Sequence, residues 1–534
     1  MPRFTPEELQ RCAEILEACV EDRALLSALP TGDRVRLVMA AGRVSRPTRD
    51  EVKRMAKACR RAARLDERLQ DRAVVATAEI RAARRAEVFQ APARLLVSAG
   101  AADAPDERPE LAKPRNCYVC KAPYRRLHFF YDSMCAPCAE LNYAKRFQTA
   151  SLDGRVALIT GGRIKIGFQS ALLMLRAGAR VLVSTRFPRD AAQRFAREAD
   201  FAKWQDRLQV FGLDLRHAPS VEIFARYVTQ TEDRLDILIN NAAQTVRRPA
   251  GFYAHMLALE ETPYAELPGE LRSVLRRHED CKRAMDWGGG PPPAIDRAPT
   301  DRAPPGAELE RHARAALQPT GFVAWGGDGP GVGIRASARL SQVPCAYDDA
   351  THDHEVFPIG KADADLQQVD LRKTNSWRLA LADVPSPEML EVQLVNSVAP
   401  FILCSKLKPL MLRDRTDEKH VVNVSAMEGQ FARHTKTDKH PHTNMAKAAL
   451  NMMTLTSAPD YAATGIFMNA VDTGWVTDED PAELSKRKQD MHDFQPPLDI
   501  VDGAARVCDP FFSGLLTGNH VWGKFLKDYA PTAW

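Results

Sequence analysis

The spacing of apolar positions changes character twice along the chain. From residue 4 to about 92 apolar residues recur at helical intervals, with little strand character. In "EELQRCAEILEACVEDRALLSAL" the residues Leu9, Cys12, Ile15, Leu16 and Cys19 share one helix face. The next stretch, "EVKRMAKACRRAARLDERLQDRAVVATAEIRAARRAEVF", is rich in Arg and Ala and reads as a solvated helix face packed on neighbours. Cys12, Cys19 and Cys59 are expected as buried small apolar residues. From Leu152 the period shifts. Short apolar runs ("RVALIT", "RVLVSTR", "LQVFGLDL", "LDILINNAA") alternate with helical ones such as "FQSALLMLRAG". That alternation predicts a doubly wound α/β domain, a parallel sheet with helices on both faces. Residues from about 246 to 380 interrupt it with "DWGGGPPPAIDRAPTDRAPPGAE" and "WGGDGPGVG". A structureless loop of that length does not suit the inside of one domain. We read an insertion with some helix, over "LPGELRSVLRRHEDCKRAM", and partly disordered. The expected organisation is a helical region over 1–100, a small module over 112–150, an α/β domain over 152–245 and 381–534, and the insertion over 246–380.

The small module follows a linker, "GAADAPDERPELAKP". Its sequence is "CYVCKAPYRRLHFFYDSMCAPC", in which Cys117 and Cys120 form one CxxC hook and Cys135 and Cys138 another, 14 residues apart. Two such hooks can present four thiolates as a tetrahedron, with a hairpin between them. Four sulfurs leave no open position, so a zinc ion there is structural and the module is zinc-ribbon-like. A redox pair is the rival reading. His128, between the hooks, either replaces a ligand, stands beside them or is exposed.

Bulk properties narrow the class. A chain of 534 residues has room for two to four domains, and 45% hydrophobic residues can bury a large core. The net charge of +5 is compatible with phosphate-bearing ligands but is no nucleic-acid signature. The basic helical stretch also lacks aromatics to stack on bases. No run of 18 apolar residues occurs, so no membrane span is expected. The N-terminus is charged throughout and lacks a signal-peptide core, which makes a cytoplasmic location the expectation. Eleven cysteines, seven of them scattered, argue against a disulfide framework and fit a reducing compartment.

The stretch from Leu158 to Arg186, "LITGGRIKIGFQSALLMLRAGARVLVSTR", reads strand, glycine turn, helix, strand. Its turn is Thr160-Gly161-Gly162-Arg163-Ile164-Lys165-Ile166-Gly167. This resembles the TGxxxGxG motif of the short-chain dehydrogenase/reductase family, with Lys165 at the middle glycine. The resemblance covers the two α/β pieces only and implies a Rossmann-like domain. It implies that Thr160, Gly161, Arg163, Lys165, Ile166 and Gly167 hold a dinucleotide pyrophosphate at a helix N-terminus. Lys165 forfeits the close backbone approach of glycine but can offer an ammonium to a phosphate. "LINNAA", with Asn240, Asn241, Ala242 and Ala243, resembles the family's NNAG segment at the adenine ribose. Asp214 in "GLDL" resembles the acid that hydrogen-bonds the adenine. An NAD-preferring enzyme usually has an acid at the position of Thr185; here Arg186 follows. A cationic group of Arg163, Lys165 and Arg186 therefore favours NADP(H).

The family's catalytic pattern is only partly present. Asn396 in "VQLVNSVAPFIL" matches the catalytic Asn, and Lys447 in "KHPHTNMAKAALN" matches the Lys, which also holds the cofactor. The Ser position in "HVVNVSAMEGQ" is Ala426, with Ser425 beside it, and the Tyr position is Thr443. "NAVDTGWVTD" resembles the Pro-Gly loop flanking the nicotinamide, with Thr473 for the proline. A threonine hydroxyl is less acidic than a phenol and shorter, so it cannot replace the tyrosine one for one. His434, His440 and His442 crowd the segment. His440 lies seven before Lys447, the spacing at which related enoyl reductases carry their tyrosine, and could donate a proton near neutral pH. His352 and His354 offer two metal ligands without a third.

Three readings remain. One is an NADP(H)-dependent oxidoreductase with a rebuilt site, using a small-molecule substrate under the insertion. The second is a cofactor-binding scaffold or sensor without turnover, meeting protein partners through its helical and zinc modules. The third is an interaction protein with a dead nucleotide site, against which Asn396, Lys447, Asp214 and the outer glycines weigh. The resemblance is also compatible with a homo-oligomer.

Overall fold

The structure is a computed structural model and describes residues 4–91, 109–286, 329–343, 355–433 and 435–534. Residues 287–328, with most of the insertion's Pro- and Gly-rich sequence, and the histidines His352, His354 and His434 lie outside these. Two compact units form, Met1–Ala73 and Val74–Trp534.

The first unit is helical. Helix Pro6–Glu21 starts at Thr5, whose hydroxyl accepts from the Glu8 N–H while the Glu8 carboxylate accepts from the Thr5 N–H. Helices Thr31–Ser45 and Arg49–Val75 follow, the latter ending in the second unit. The first two bury no residue. Cys12 and Cys59 are exposed and Cys19 half-buried, against the expectation of burial. Among the described residues of this unit no neighbour closes over the apolar face, so Leu9 and Ile15 stay open as well.

The second unit opens with an antiparallel hairpin, β1 (Glu110–Asn116) and β2 (Pro123–Arg126), and the helix Ala136–Arg146. The sheet comprises β3 (Val156–Thr160), β4 (Arg180–Thr185), β5 (Leu208–Gly212), β6 (Ile237–Asn240), β7 (Lys419–Ser425), β8 (Ile466–Asp472), β9 (Phe525–Lys527) and β10 (Ala530–Thr532). Their order is β10-β9-β8-β7-β6-β3-β4-β5. Every neighbouring pair is parallel except β9 with β10. β3, β5, β6 and β7 are buried along their whole length, which explains the near-continuous apolar runs of β3 and β6. Helices on the two faces close two cores, one including Leu172, Leu175 and Phe511, the other Phe224, Leu403 and Leu407.

The chain runs from β3 outward to β5 and then crosses back to β6, so the strand order reverses between β3 and β6. At such a switch point the loops leaving the strand ends part and open a crevice. Helix Gly269–Asp286 forms where helix was expected in the insertion. It packs on β5, and Leu267, Leu271, Val274 and Leu275 join the core beneath it. An edge strand is thereby covered. Against the expectation of no membrane span, Ser386–Met411 is long and apolar enough to cross a membrane by composition, but 56% of its apolar window is buried in this fold.

Candidate cofactor cleft

The crevice between β3 and β6 is a cleft of about 610 Å³. Gly161, Arg163, Lys165, Ile166 and Gly167 line it, with Arg186, Asp214, Asn241, Ala242, Ser425 and Lys447. Thr160 lies beneath and ties its ends together. Its hydroxyl accepts from the N–H groups of Asn241 and Ala242 at 3.1 and 3.0 Å. The Asn241 amide donates back to Thr160 O and Gly161 O at 3.0 and 3.2 Å. This closeness excludes side chains: a Cβ on Gly161 would stand 2.8 Å from the Ala242 Cα, and one on Gly167 2.3 Å from the Gly161 oxygen.

Lys165 occupies the left-handed region, φ 53°, where an L-residue is strained. It opens the helix Lys165–Arg176, and its ammonium lies 3.9 Å from the Asp365 carboxylate. Asp365 comes from the insertion, as do Gln367, Gln368, Asp370 and Arg372 of the cleft wall. Arg194 holds this segment in place by donating to the Asp365 and Leu366 carbonyls, each at 2.8 Å.

The expected cationic trio is not uniform. Arg163 is buried, and its guanidinium donates to Asp190 at 2.7 Å, so its charge is already matched. Arg186 differs. Its guanidinium lies 4.7 Å over the Tyr253 ring and donates to the Tyr253 hydroxyl at 2.7 Å, touching no carboxylate among the described residues. Asp214 is fully buried, and Arg216 takes both its oxygens at 2.7–3.1 Å. Its N–H donates to Gly333 of the insertion at 2.8 Å. Burial pushes the Asp214 carboxyl up, but Arg216 outweighs this and holds it below the ordinary range. The expected bond from Asp214 to an adenine would have to displace Arg216 or Gly333.

The expected catalytic residues separate in the same way. Lys447, on helix Pro441–Ala462, reaches the cleft and donates from Nζ to the Val424 carbonyl at 2.8 Å. Burial brings its ammonium down to about 8, with Glu428 opposing. Ser425 lines the cleft, but its hydroxyl donates to Asn451 at 2.5 Å. Asn396 sits in a π-turn, Leu394–Val398, behind the wall. Its amide exchanges two hydrogen bonds with the Gln244 backbone, at 2.8 and 2.9 Å. Thr443 and His440 do not line the cleft. The Thr443 hydroxyl is buried without a hydrogen-bond partner among the described residues. The His440 ring stacks on Trp377 of the insertion, 3.9 Å between centroids and 9° from parallel. One helical turn separates Thr443 from Lys447, yet the shorter side chain stops inside the protein.

Cys117, Cys120, Cys135 and Cys138 bring their sulfurs within 4.8 Å of one another. Around a tetrahedral zinc, sulfurs at about 2.3 Å from the ion stand about 3.8 Å apart, so the set fits the ion. Burial raises the Cys117 thiol, but N–H groups of the hooks outweigh it and bring it to about 7. His128 is not in the group. It is buried, and its Nδ1 accepts from the Phe130 and Tyr131 N–H groups at 3.1 and 3.4 Å.

Comparison with known proteins agrees with this architecture. The model of the short chain dehydrogenase family matches residues 155–259, and that described as enoyl-(acyl carrier protein) reductase matches residues 373–498. The chain is a divergent member of the short-chain dehydrogenase/reductase family. An uncharacterised protein of Acanthamoeba polyphaga mimivirus is 28% identical over 413 residues, 74% of this chain and 71% of that protein. Dehydrogenase/reductase SDR family member 13 of Bos taurus is 39% identical over 93 residues, 17% of this chain, and the chain spans only 24% of its length. The solved Pseudomonas aeruginosa RhlG/NADP active-site complex is 16% identical, covering 70% of this chain and 95% of that one with a TM-score of 0.37.

Proposed function

We propose that this chain is an NADP(H)-dependent oxidoreductase acting on a small carbonyl compound or activated alkene, with its proton supplied by Lys447. The observation that carries the reading is Arg186: an arginine at the end of β4, braced on Tyr253 and facing the cleft with no carboxylate paired to it among the described residues. Thr185 before it brings no acid to grip a free ribose hydroxyl. The site therefore suits a 2′-phosphate. Lys165 and the helix N-terminus behind it attract the pyrophosphate.

When bound, the dinucleotide supplies a hydride to the substrate carbon. Lys447 delivers a proton from Nζ to the substrate oxygen and regains one from water, so the product is neutral. At the position of the family's serine Ala426 carries no hydroxyl, and that of Ser425 beside it is committed to Asn451. Asn396 acts at one remove, fixing the Gln244 backbone at the wall. The four thiols hold a structural zinc, since four sulfur ligands leave no position for a substrate.

The test is a melting-temperature comparison, because a ligand that binds only the folded chain raises it. NADPH raises it more than NADH at equal concentration, and Arg186→Asp reverses that order. Equal shifts in the parent protein would remove the preference, and no shift with either would remove the cofactor. A second reading, a sensor that binds NADPH without turnover, draws on Thr443 lying off the cleft. It predicts the same shifts and no oxidation of NADPH across a panel of aldehydes, ketones and enones.

A further inference from the structure

Residues 473–478 follow β8 and have two faces. Thr473, Thr477 and Asp478 line the cleft. On the other side the Trp475 N–H donates to the Tyr118 hydroxyl at 2.9 Å. Tyr118 stands inside the first cysteine hook, between Cys117 and Cys120, and its own N–H donates to Ser133 O at 2.8 Å, just before the second hook. Its ring therefore takes its position from the chain that the four sulfurs bind together. Val476, Leu498 and Ile500 are buried in the same apolar cluster as Leu127, Phe130 and Tyr131 of the module, and Ile166 of the glycine loop packs against it.

The rest of the module is fixed to rigid structure. The Tyr131 hydroxyl donates to Asp502 at 2.5 Å. Arg146 donates to Asp499 at 2.7 Å and to Asp502 at 2.8 Å. Arg506 donates to Asn142 at 2.6 Å. Asp499, Asp502 and Arg506 lie at the start of helix Ile500–Thr517, which packs against the helix that begins at Lys165. Against this fixed frame Tyr118 is the one module side chain with a hydrogen bond to the loop backbone among the described residues.

We propose that the four-cysteine centre is wired to the cleft, with Tyr118 as a positioning residue that sets the 473–476 backbone. Metal bound by the sulfurs fixes the first hook, the hook fixes Tyr118, and Tyr118 holds the loop against the bound dinucleotide. Cofactor affinity then depends on the metal although no sulfur reaches the cleft. The last link rests on the NADP(H) reading; the coupling of metal to loop does not.

The experiment compares the parent protein as purified, the same protein stripped by a chelator under reducing conditions, and Tyr118→Phe. Hydrogen exchange is read on peptides covering 473–477 and NADPH affinity by titration. Tyr118→Phe retains its zinc and its melting temperature, because the phenyl ring keeps the packing. In both altered proteins the loop exchanges at least about tenfold faster, and NADPH binds about three- to tenfold more weakly, as for one lost hydrogen bond. Stripping Tyr118→Phe adds little further loss. Unchanged loop exchange after stripping overturns the proposal. So does parental exchange in Tyr118→Phe when stripping alone accelerates it. If the parent protein binds no NADPH, the cofactor reading fails, while loop exchange still decides the coupling.

Discussion

Lys165 concentrates two opposing effects in one residue. Its backbone sits where glycine is at ease, at φ 53°, while its ammonium is the feature glycine lacks. Lys165→Gly relieves strain of about 1–2 kcal/mol, less the entropy that glycine returns to the unfolded chain. The melting temperature of the free protein should therefore hold or rise. NADPH binding should weaken by about 1–2 kcal/mol for the lost charge-assisted contact. Calorimetric titration beside a melting curve separates the two signs; tighter binding by the glycine variant would mark Lys165 as an obstruction. Lys447 yields a pH profile. Its acid form is complete well below its value of about 8, so reduction should be fast near pH 6.5 and fall as pH rises through 8. Lys447→Met should abolish turnover and with it the pH dependence, read as the rate at saturating NADPH. A flat profile in the parent would place the proton source elsewhere.

At the scale of elements, the glycine turn, the NNAA segment and the paired hooks were legible because each is a local pattern with a fixed spacing. Side-chain destinations were not. Arg163 reads as a phosphate ligand until helix Pro188–Ala196 brings Asp190 to it, and Asp214 reads as an adenine partner until Arg216 turns back on it. His440 reads as an acid until Trp377 stacks on it from a segment some 60 residues earlier. Arg163 and His440 are engaged by elements distant in sequence, and Asp214 by a side chain two residues on whose direction spacing does not encode. Buried histidines carry a further consequence of such packing. His278 accepts from the β5 Gly212 N–H, and His420 lies within β7; burial brings both to about 3. Their ordinary value is about 6.5, so the unfolded chain binds more protons below it. The stability they contribute is complete above pH 6.5 and is lost toward pH 3, by about 1.4 kcal/mol per pH unit for each ring. Melting temperature should drop between pH 7 and pH 5, and a double His278→Gln, His420→Gln variant should show a shallower drop.

At the scale of the whole molecule, the excursion between β6 and β7 starts and ends at one place. Arg372, near its end, donates to the Arg247 carbonyl at its start at 3.0 Å, and the Arg247 N–H donates to Glu388 just beyond it, also at 3.0 Å. Loop-closure entropy grows only with the logarithm of length. Holding about 135 residues rather than about five between those points costs only about 3 kcal/mol. Leu267, just before helix Gly269–Asp286, and Leu271, Val274 and Leu275 on it bury apolar surface worth about 1.5–3 kcal/mol each, which exceeds that closure term. Closing so long an excursion is thus a small term, because its two ends are already joined at the neck. Descendants of this fold can lengthen, shorten or exchange it, and so change what the cleft accepts, without disturbing the register of a single strand.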